Sequence, residues 1–432
     1  MNHERHEKHE NKGEGLVPRL RFPEFRDAGE WQERPLSAFI QSLDAGVSAN
    51  SGDRPATANE KGILKTSAVT DGVFDAMENK VVADDREMRR LKEPVAKNTI
   101  IISRMNTPGL VGANAYIKEG CENLFLPDRL WAAKPRPNTS MRFIAYILGS
   151  GEGRAALSEL ATGTSGSMKN IAKANVLELP VVIPGPKEQQ KIADCLSSLD
   201  ALIAAQADKI DALKTHKKGL VQQLFPREGE TVPRLRFPEF RDAGEWEVQP
   251  LGDVCQTYSG GTPASTHKKY YGGDIPFIRS AEIDRSTTEL KLTQEGLQSS
   301  SAKMVGKGDI LYALYGANSG QVAISKIAGA INQAILCLKS KDSNPFIYQF
   351  LSFNKNRIID RYIQGGQGNL SGEIVKSIEV PFPELKEQKI IADCLSSLDA
   401  LIAAHTEKLD ALMAHKKGLM QQLFPSPEAV GV

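Results

Sequence analysis

From Ile192 onward, Ile192, Leu196, Leu199, Ile203, Gln206, Ile210, Leu213, Lys217, Leu220 and Leu224 follow one another at alternating steps of four and three. That is the 3.5-residue period of a supercoiled seam, and it predicts one long helix. The stripe returns as Ile391, Leu395, Leu398, Ile402, His405, Leu409, Leu412, Lys416, Leu419 and Leu423, with polar interruptions at matching places. At an offset of 199 residues, 187–226 and 386–425 agree at 31 of 40 positions. A second duplication precedes each helix, because "VPRLRFPEFRDAGEW" stands at 17–31 and again, letter for letter, at 232–246.

Between these repeats the pattern changes from helical to strand-like. "NTIIIS" at 98–103, "NAYIKE" at 114–119, "GDILYALYG" at 308–316 and "QVAISKI" at 321–327 are short apolar runs bounded by Gly, Asn and Pro, and they predict strands. Each body then closes with an amphipathic helix, "MRFIAYILGSGEGRAALSEL" and "NPFIYQFLSFNKNRIIDRYI", followed by the Gly-rich turns "TGTSGSMKN" and "QGGQGN", which suit surface loops. A repeat of about 200 residues is too long for a solenoid and means domain duplication. The expected organisation is a disordered tail (1–16), a first mixed α/β body (17–186), a first long helix (187–226), a second body (227–385), a second long helix (386–425) and a short tail (426–432). The fold class is α+β with a pseudo-twofold internal repeat.

Two such stripes in one chain can bury each other. With two like units a twofold arrangement is natural, and a twofold perpendicular to the helices makes them an antiparallel coiled coil. Gln206 and His405 then need partners or water in one polar layer, a device that fixes register at some cost in stability. From Ile192 to Leu224 the rod spans about 50 Å at about 1.5 Å per residue, a spacer on the scale of the roughly 34–36 Å between half-sites of dimeric DNA readers.

Composition narrows the function. Hydrophobic residues make up 41% of the 432 residues, enough for ordinary cores, yet no apolar run approaches a membrane span and no signal peptide opens the chain, so a soluble cytoplasmic protein is expected. Net charge is +1, and neither body is broadly basic, so any nucleic-acid surface must be local. The five cysteines are scattered without a CxxC pair, which suggests neither a disulfide framework nor a zinc site; Cys195 and Cys394, at equivalent helix positions, are expected to be small buried hydrophobes. The opening "MNHERHEKHENKGEG" spaces three His like a metal site but lacks an apolar stripe, and reads as a disordered tail. No catalytic residue is identified. Adenine methylation needs an Asn/Asp-Pro-Pro-aromatic loop, and "NPFIY" at 344–348 lacks the second Pro and reads as a helix start. No phosphate-binding GxxxxGK[ST] and no nuclease metal motif occur.

The motifs "RLRFPEFRDAGEW", "GGTPAS" with "YYGGDIPFIRSAEI", "SRMNTPGLVG", "LELPVVIPGPKEQQKIADCLSSLD" and "LVQQLFP", set in a duplicated frame, resemble the specificity subunit of a type I restriction-modification system over nearly the whole chain, 17–425. The resemblance implies two target recognition domains, each reading one half of an interrupted asymmetric site in double-stranded DNA. It implies paired helices that space them and dock two modification (methyltransferase) subunits. Such a chain holds no cofactor; S-adenosylmethionine belongs to the modification subunits, and ATP and Mg to the restriction (translocase-nuclease) subunits. A near-identical frame would offer two equivalent partners one surface, while unlike bodies read different half-sites.

Candidate DNA contacts stand near expected strand ends beside turns: Lys65, Thr66, Arg104, Asn106 and Thr107 in the first body, and Thr262, Lys268, Tyr271, Arg279, Tyr315 and Asn318 in the second. Arg to guanine and Asn to adenine would be the discriminating contacts. The plain alternative for each is a loop or strand-edge residue. The stretch "YSGGTPASTHKKYYGG", taken alone, reads better as a solvated loop. A two-headed scaffold that binds proteins through its bodies would keep the same frame.

Overall fold

The computed structural model describes residues 16–70, 72–162, 168–362 and 369–425. The His-bearing opening segment, the central residues of both Gly-rich turns and the tail 426–432 lie outside the described residues. The chain divides into two compact units, Met1–Ala204 with Asp410–Val432, and Ala205–Leu409, so each long helix contributes to both.

The first unit is built on strands β1 (Ile40–Ala45), β2 (Gly62–Leu64), β3 (Thr99–Ser103), β4 (Asn114–Ile117), β5 (Cys121–Phe125) and β6 (Leu130–Pro135). An antiparallel sheet runs β1-β6-β3-β4, and in a second sheet β2 lies parallel to β5. β3 is buried at all five positions, which is why its sequence is a continuous apolar run rather than an alternation. Helices α1 (Met141–Gly149) and α2 (Gly151–Glu159) follow, then α3 (Pro186–Leu224). One helix was expected over 141–160. The chain instead breaks at Ser150, flanked by Gly149 and Gly151, where the Ser150 hydroxyl accepts the Gly153 N–H and caps α2.

The second unit repeats this order with β7 (Gln256–Ser259), β8 (Tyr271–Ile278), β9 (Ile310–Ala313), β10 (Val322–Ile324), β11 (Gly329–Ile331) and β12 (Ile335–Lys339). Its antiparallel sheet runs β7-β12-β9-β10, and β8 lies parallel to β11. Helix α4 (Asn344–Tyr362) starts at Asn344-Pro345 as its sequence predicts, and α5 (Leu385–Leu423) completes the repeat. All four strands expected from the apolar runs are present.

The long helices pair antiparallel in each unit. In the first, Ile192 and Leu196 share a core with Leu423, and Asp200 meets Lys416 at 2.5 Å, so ascending α3 is descending α5. In the second, the Gln206 side-chain amide donates to His405 Nδ1 at 2.7 Å and to the His405 carbonyl at 2.8 Å, while Lys217 meets Asp399. The two polar seam residues are therefore each other's partners, and both seam lysines find carboxylates. Leu199, Ile210, Ile391 and Leu395 are buried, whereas Ile203, Leu213, Leu398, Ile402, Leu409 and Leu412 are half-buried, as befits a seam covered by one partner helix. Cys195 and Cys394 are half-buried too, not buried as expected.

The duplicated motif ahead of each body clamps the start of its duplicated helix. Arg21 donates through Nε and Nη2 to the two oxygens of Glu188, both at 2.7 Å, and Arg236 forks Glu387 at 2.9 and 2.6 Å. All four side chains are at most 7% exposed. The motif also receives the end of the other helix. The Leu20 and Leu235 N–H groups donate to the carbonyls of Gln422 and Gln223, both at 2.9 Å, and Phe424 packs with Trp31 and Phe143 as Phe225 packs with Trp246 and Phe346. The buried Arg, Glu and Trp of the repeated frame thus make repeated contacts.

Candidate nucleic-acid interface

In the first unit, three loops leave one end of the antiparallel sheet. The register pairs Trp131 with Ala45 and Leu130 with Ser103, so the end of β1, the start of β6 and the end of β3 lie side by side. The parallel β2–β5 pairing, Ile63 with Phe125, brings Lys65 to the same end. Hydrogen bonds tie these loops together: Ser48 donates to Asp128 at 2.6 Å, the Arg104 N–H to the Arg129 carbonyl at 3.0 Å, and the Ile171 N–H to the Arg104 carbonyl at 2.9 Å. A short helix, Asp85–Arg90, is capped by Asp84 and held here by Arg90 reaching the Ser48 carbonyl at 3.4 Å; Arg86 and Arg89 on it are exposed.

The second unit repeats the main-chain bonds of this end. Ser259, Ala313 and Ile335 terminate the corresponding strands, and the parallel β8–β11 pairing places Arg279 where Lys65 stands. Leu314 N–H donates to the Ala334 carbonyl at 2.8 Å, and Leu370 N–H to the Leu314 carbonyl at 2.9 Å. The loop after β3 is closed by Ser103 N–H on Ala113 and Gly112 N–H on Ser103, both 2.7 Å; the loop after β9 by Ala313 N–H on Gln321 at 2.8 Å and Gly320 N–H on Ala313 at 2.9 Å. Gly112 and Gly320 stand at φ +77° and +78°, and a Cβ there would lie 2.8 Å from Leu157 Cβ or 2.7 Å from Ile359 Cδ1. Only glycine suits both demands.

On this shared backbone the side chains differ. Arg104 lies over the Trp131 ring, 5.5 Å from its centroid. Its counterpart Leu314 is buried, and the next residue, Tyr315, is 40% exposed where the first body has Met105. Thr107 and Lys268 are exposed, and Thr66 and Asn318 are half-buried at short turns. Thr262 donates its hydroxyl to Gln333 at 2.6 Å, bridging two of the loops. Lys65 stands 3.6 Å from Glu78, whose carboxyl is held below its usual range by the Ser67 hydroxyl and then by Lys65.

Three candidates are hydrogen-bonded within their own units. Asn106 is buried; its amide donates to Ser103 Oγ at 3.3 Å and its Oδ1 accepts the Thr107 N–H at 2.9 Å, both within its own loop. Tyr271 donates its hydroxyl to the Pro263 carbonyl at 2.6 Å. Arg279 is neutralised by Glu282 and Glu289, and these hydrogen bonds raise its pKa further. Burial pushes Glu282 upward, but hydrogen bonds from Arg279 and from the Glu289 N–H outweigh it and hold the carboxyl below its usual range. The common reason is that a loop with so few apolar side chains is shaped by its own polar groups. Residues not anticipated are Trp131, Gln333, Arg86 and Arg89; the apolar pattern of "RLWAAKP" marks a strand but not which side chain will lie over it.

Among the described residues no group of three or more His, Cys, Asp and Glu could hold a metal ion, and no helix is long and apolar enough to cross a membrane.

Residues 52–215 and 243–414 match the family described as type I restriction modification DNA specificity domain. The putative type I restriction enzyme MjaX specificity subunit of Methanocaldococcus jannaschii is 25% identical over 410 residues, 91% of this chain and 93% of that protein. The EcoR124I/EcoR124II specificity subunit of Escherichia coli is 23% identical over 278 residues, 60% of this chain and 66% of its own length. The crystal structure of the type I restriction-modification S subunit from M. genitalium shares the fold with a TM-score of 0.65 at 18% identity, covering 95% of this chain and all of that one. With the family match spanning both bodies and most of both long helices, the chain belongs to the type I restriction-modification DNA specificity family and carries its domain twice.

Proposed function

We propose that this chain works in the cytoplasm as the specificity subunit of a type I restriction-modification complex without catalysis of its own. Each body reads one half of an interrupted asymmetric duplex site, through the strand-end loops that carry Lys65, Thr66, Arg104, Thr107 and the exposed Arg86 and Arg89 in one unit, and Thr262, Lys268, Tyr315 and Asn318 in the other. The paired helices set the interval between half-sites and dock two modification subunits, which bring S-adenosylmethionine; restriction subunits bring ATP and Mg. What carries this function is one contrast: the same hydrogen-bonded scaffold stands at equivalent sheet ends with unlike side chains on it, while the Arg–Glu clamps of the frame are alike. A repeated frame with divergent loops is what two different half-sites and two identical partners require.

The test is selection from a randomised duplex pool by the full chain assembled with modification subunits. The expected result is one motif of two unlike halves separated by a fixed run of unselected bases. A continuous motif, or no enrichment at all, overturns the proposal, and the latter favours a scaffold that binds proteins through its bodies.

A further inference from the structure

We propose that Arg104 is a specificity-determining residue that reads a guanine in the half-site bound by the first unit, an inference that rests on the function proposed above and narrows it to one contact. Three observations carry it. The guanidinium lies over the buried Trp131 ring, 5.5 Å from its centroid, so the ring supports it from one side. Unlike Arg21, Arg54, Arg90 and Arg279, which are paired with carboxylates, it makes no ion pair and no side-chain hydrogen bond among the described residues. Its Nε is buried without an acceptor, so the two terminal nitrogens form the edge left for a partner.

A buried unpartnered donor costs about 1–3 kcal/mol, and native structures carry few. An unpartnered acceptor stands on the neighbouring strand: Asn170 Oδ1 is buried without a partner among the described residues, and Asn170 pairs in the ladder with Met105, next to Arg104. The local rule of polar satisfaction is thus broken twice at one place, on a sheet end that carries unlike side chains in the two units, and such breaches gather at functional sites. A flat pair of N–H donors with no internal acceptor among the described residues matches the O6 and N7 acceptors of guanine in the major groove, where arginine makes the commonest specific contact. A phosphate would accept the same donor pair but carries no sequence information, so the two targets are separated by the selection below.

Selection from randomised duplex pools by the full chain with modification subunits, repeated for Arg104→Ala and Arg104→Lys, tests this. The wild type should fix a guanine at one position of one half-site. Both variants should lose roughly 5- to 150-fold of the preference at that position alone, the range of one bidentate contact, with the other half-site unchanged. Arg104→Lys keeps the charge and guards against misfolding. Three results overturn the assignment: an unchanged motif, a loss in both half-sites, or a uniform weakening across sequences with a salt dependence shallower by about one unit, the mark of a phosphate contact. If the wild type selects no interrupted motif, the proposed function falls with it.

Discussion

The frame and the strand-end loops of this protein obey opposite rules. In the frame, Arg21–Glu188 and Arg236–Glu387 are the same buried fork made twice, with Trp31 and Trp246 seated against equivalent phenylalanines. At the sheet ends the backbone bonds are also made twice, but Leu314 stands in the second unit where the first has Arg104, and Tyr315 where it has Met105. A buried bidentate pair tolerates almost no change, because losing one partner strands the other charge out of water. A loop anchored by repeated main-chain hydrogen bonds and one left-handed glycine can carry different side chains, some bonded within the loop and others exposed. The duplication therefore kept the buried forks of the frame and let the side chains at the sheet ends diverge.

The largest effect should come from the frame. Glu387→Ala leaves the Arg236 guanidinium buried and unpaired and should cost the second unit about 3–5 kcal/mol, seen as accelerated hydrogen exchange over 232–246 and 385–395; a loss below about 1 kcal/mol would show the clamp to be dispensable. Next come the glycines that shape the loops. Gly112→Ala and Gly320→Ala each force a left-handed backbone, about 1–2 kcal/mol, and add crowding of about 1–3 kcal/mol. Gly112→Ala should be the worse, because it meets the fixed Leu157 Cβ whereas Gly320 meets the movable tip of Ile359; urea unfolding of the two variants ranks them. The reverse order would mean the two loops are not supported alike.

The smallest effect belongs to the polar layer of the helix pair. His405 accepts from Gln206 through Nδ1, and burial, then Lys209 and Lys408, hold its pKa below the ordinary 6.5. The unfolded chain therefore binds the proton more readily. The layer's contribution is complete above about pH 6.5 and is lost as pH falls through the depressed value, where a protonated Nδ1 would face the amide donor. Gln206→Leu should cost about 1 kcal/mol near neutral pH, and the double variant Gln206→Leu/His405→Leu should be less acid-sensitive than wild type in thermal unfolding between pH 5 and 7. Equal acid sensitivity would place the titrating group elsewhere.

The sequence by itself determined the two long helices, their seam, the polar layer at Gln206 and His405 and the strands at 98–103, 114–119, 308–316 and 321–327, because each is written as a local period or an apolar run that depends on near neighbours. It also marked the sheet ends as the place to look, since turns follow strands. It did not show that Arg21 would fork Glu188, 167 residues away, that Trp131 would lie beneath Arg104, or that Arg279, Tyr271 and Asn106 would be spent inside their own loops. Those outcomes were decided only by tertiary structure. A side chain's partner is fixed by which strands pair and in what register, and one residue of register turns every side chain to the other face.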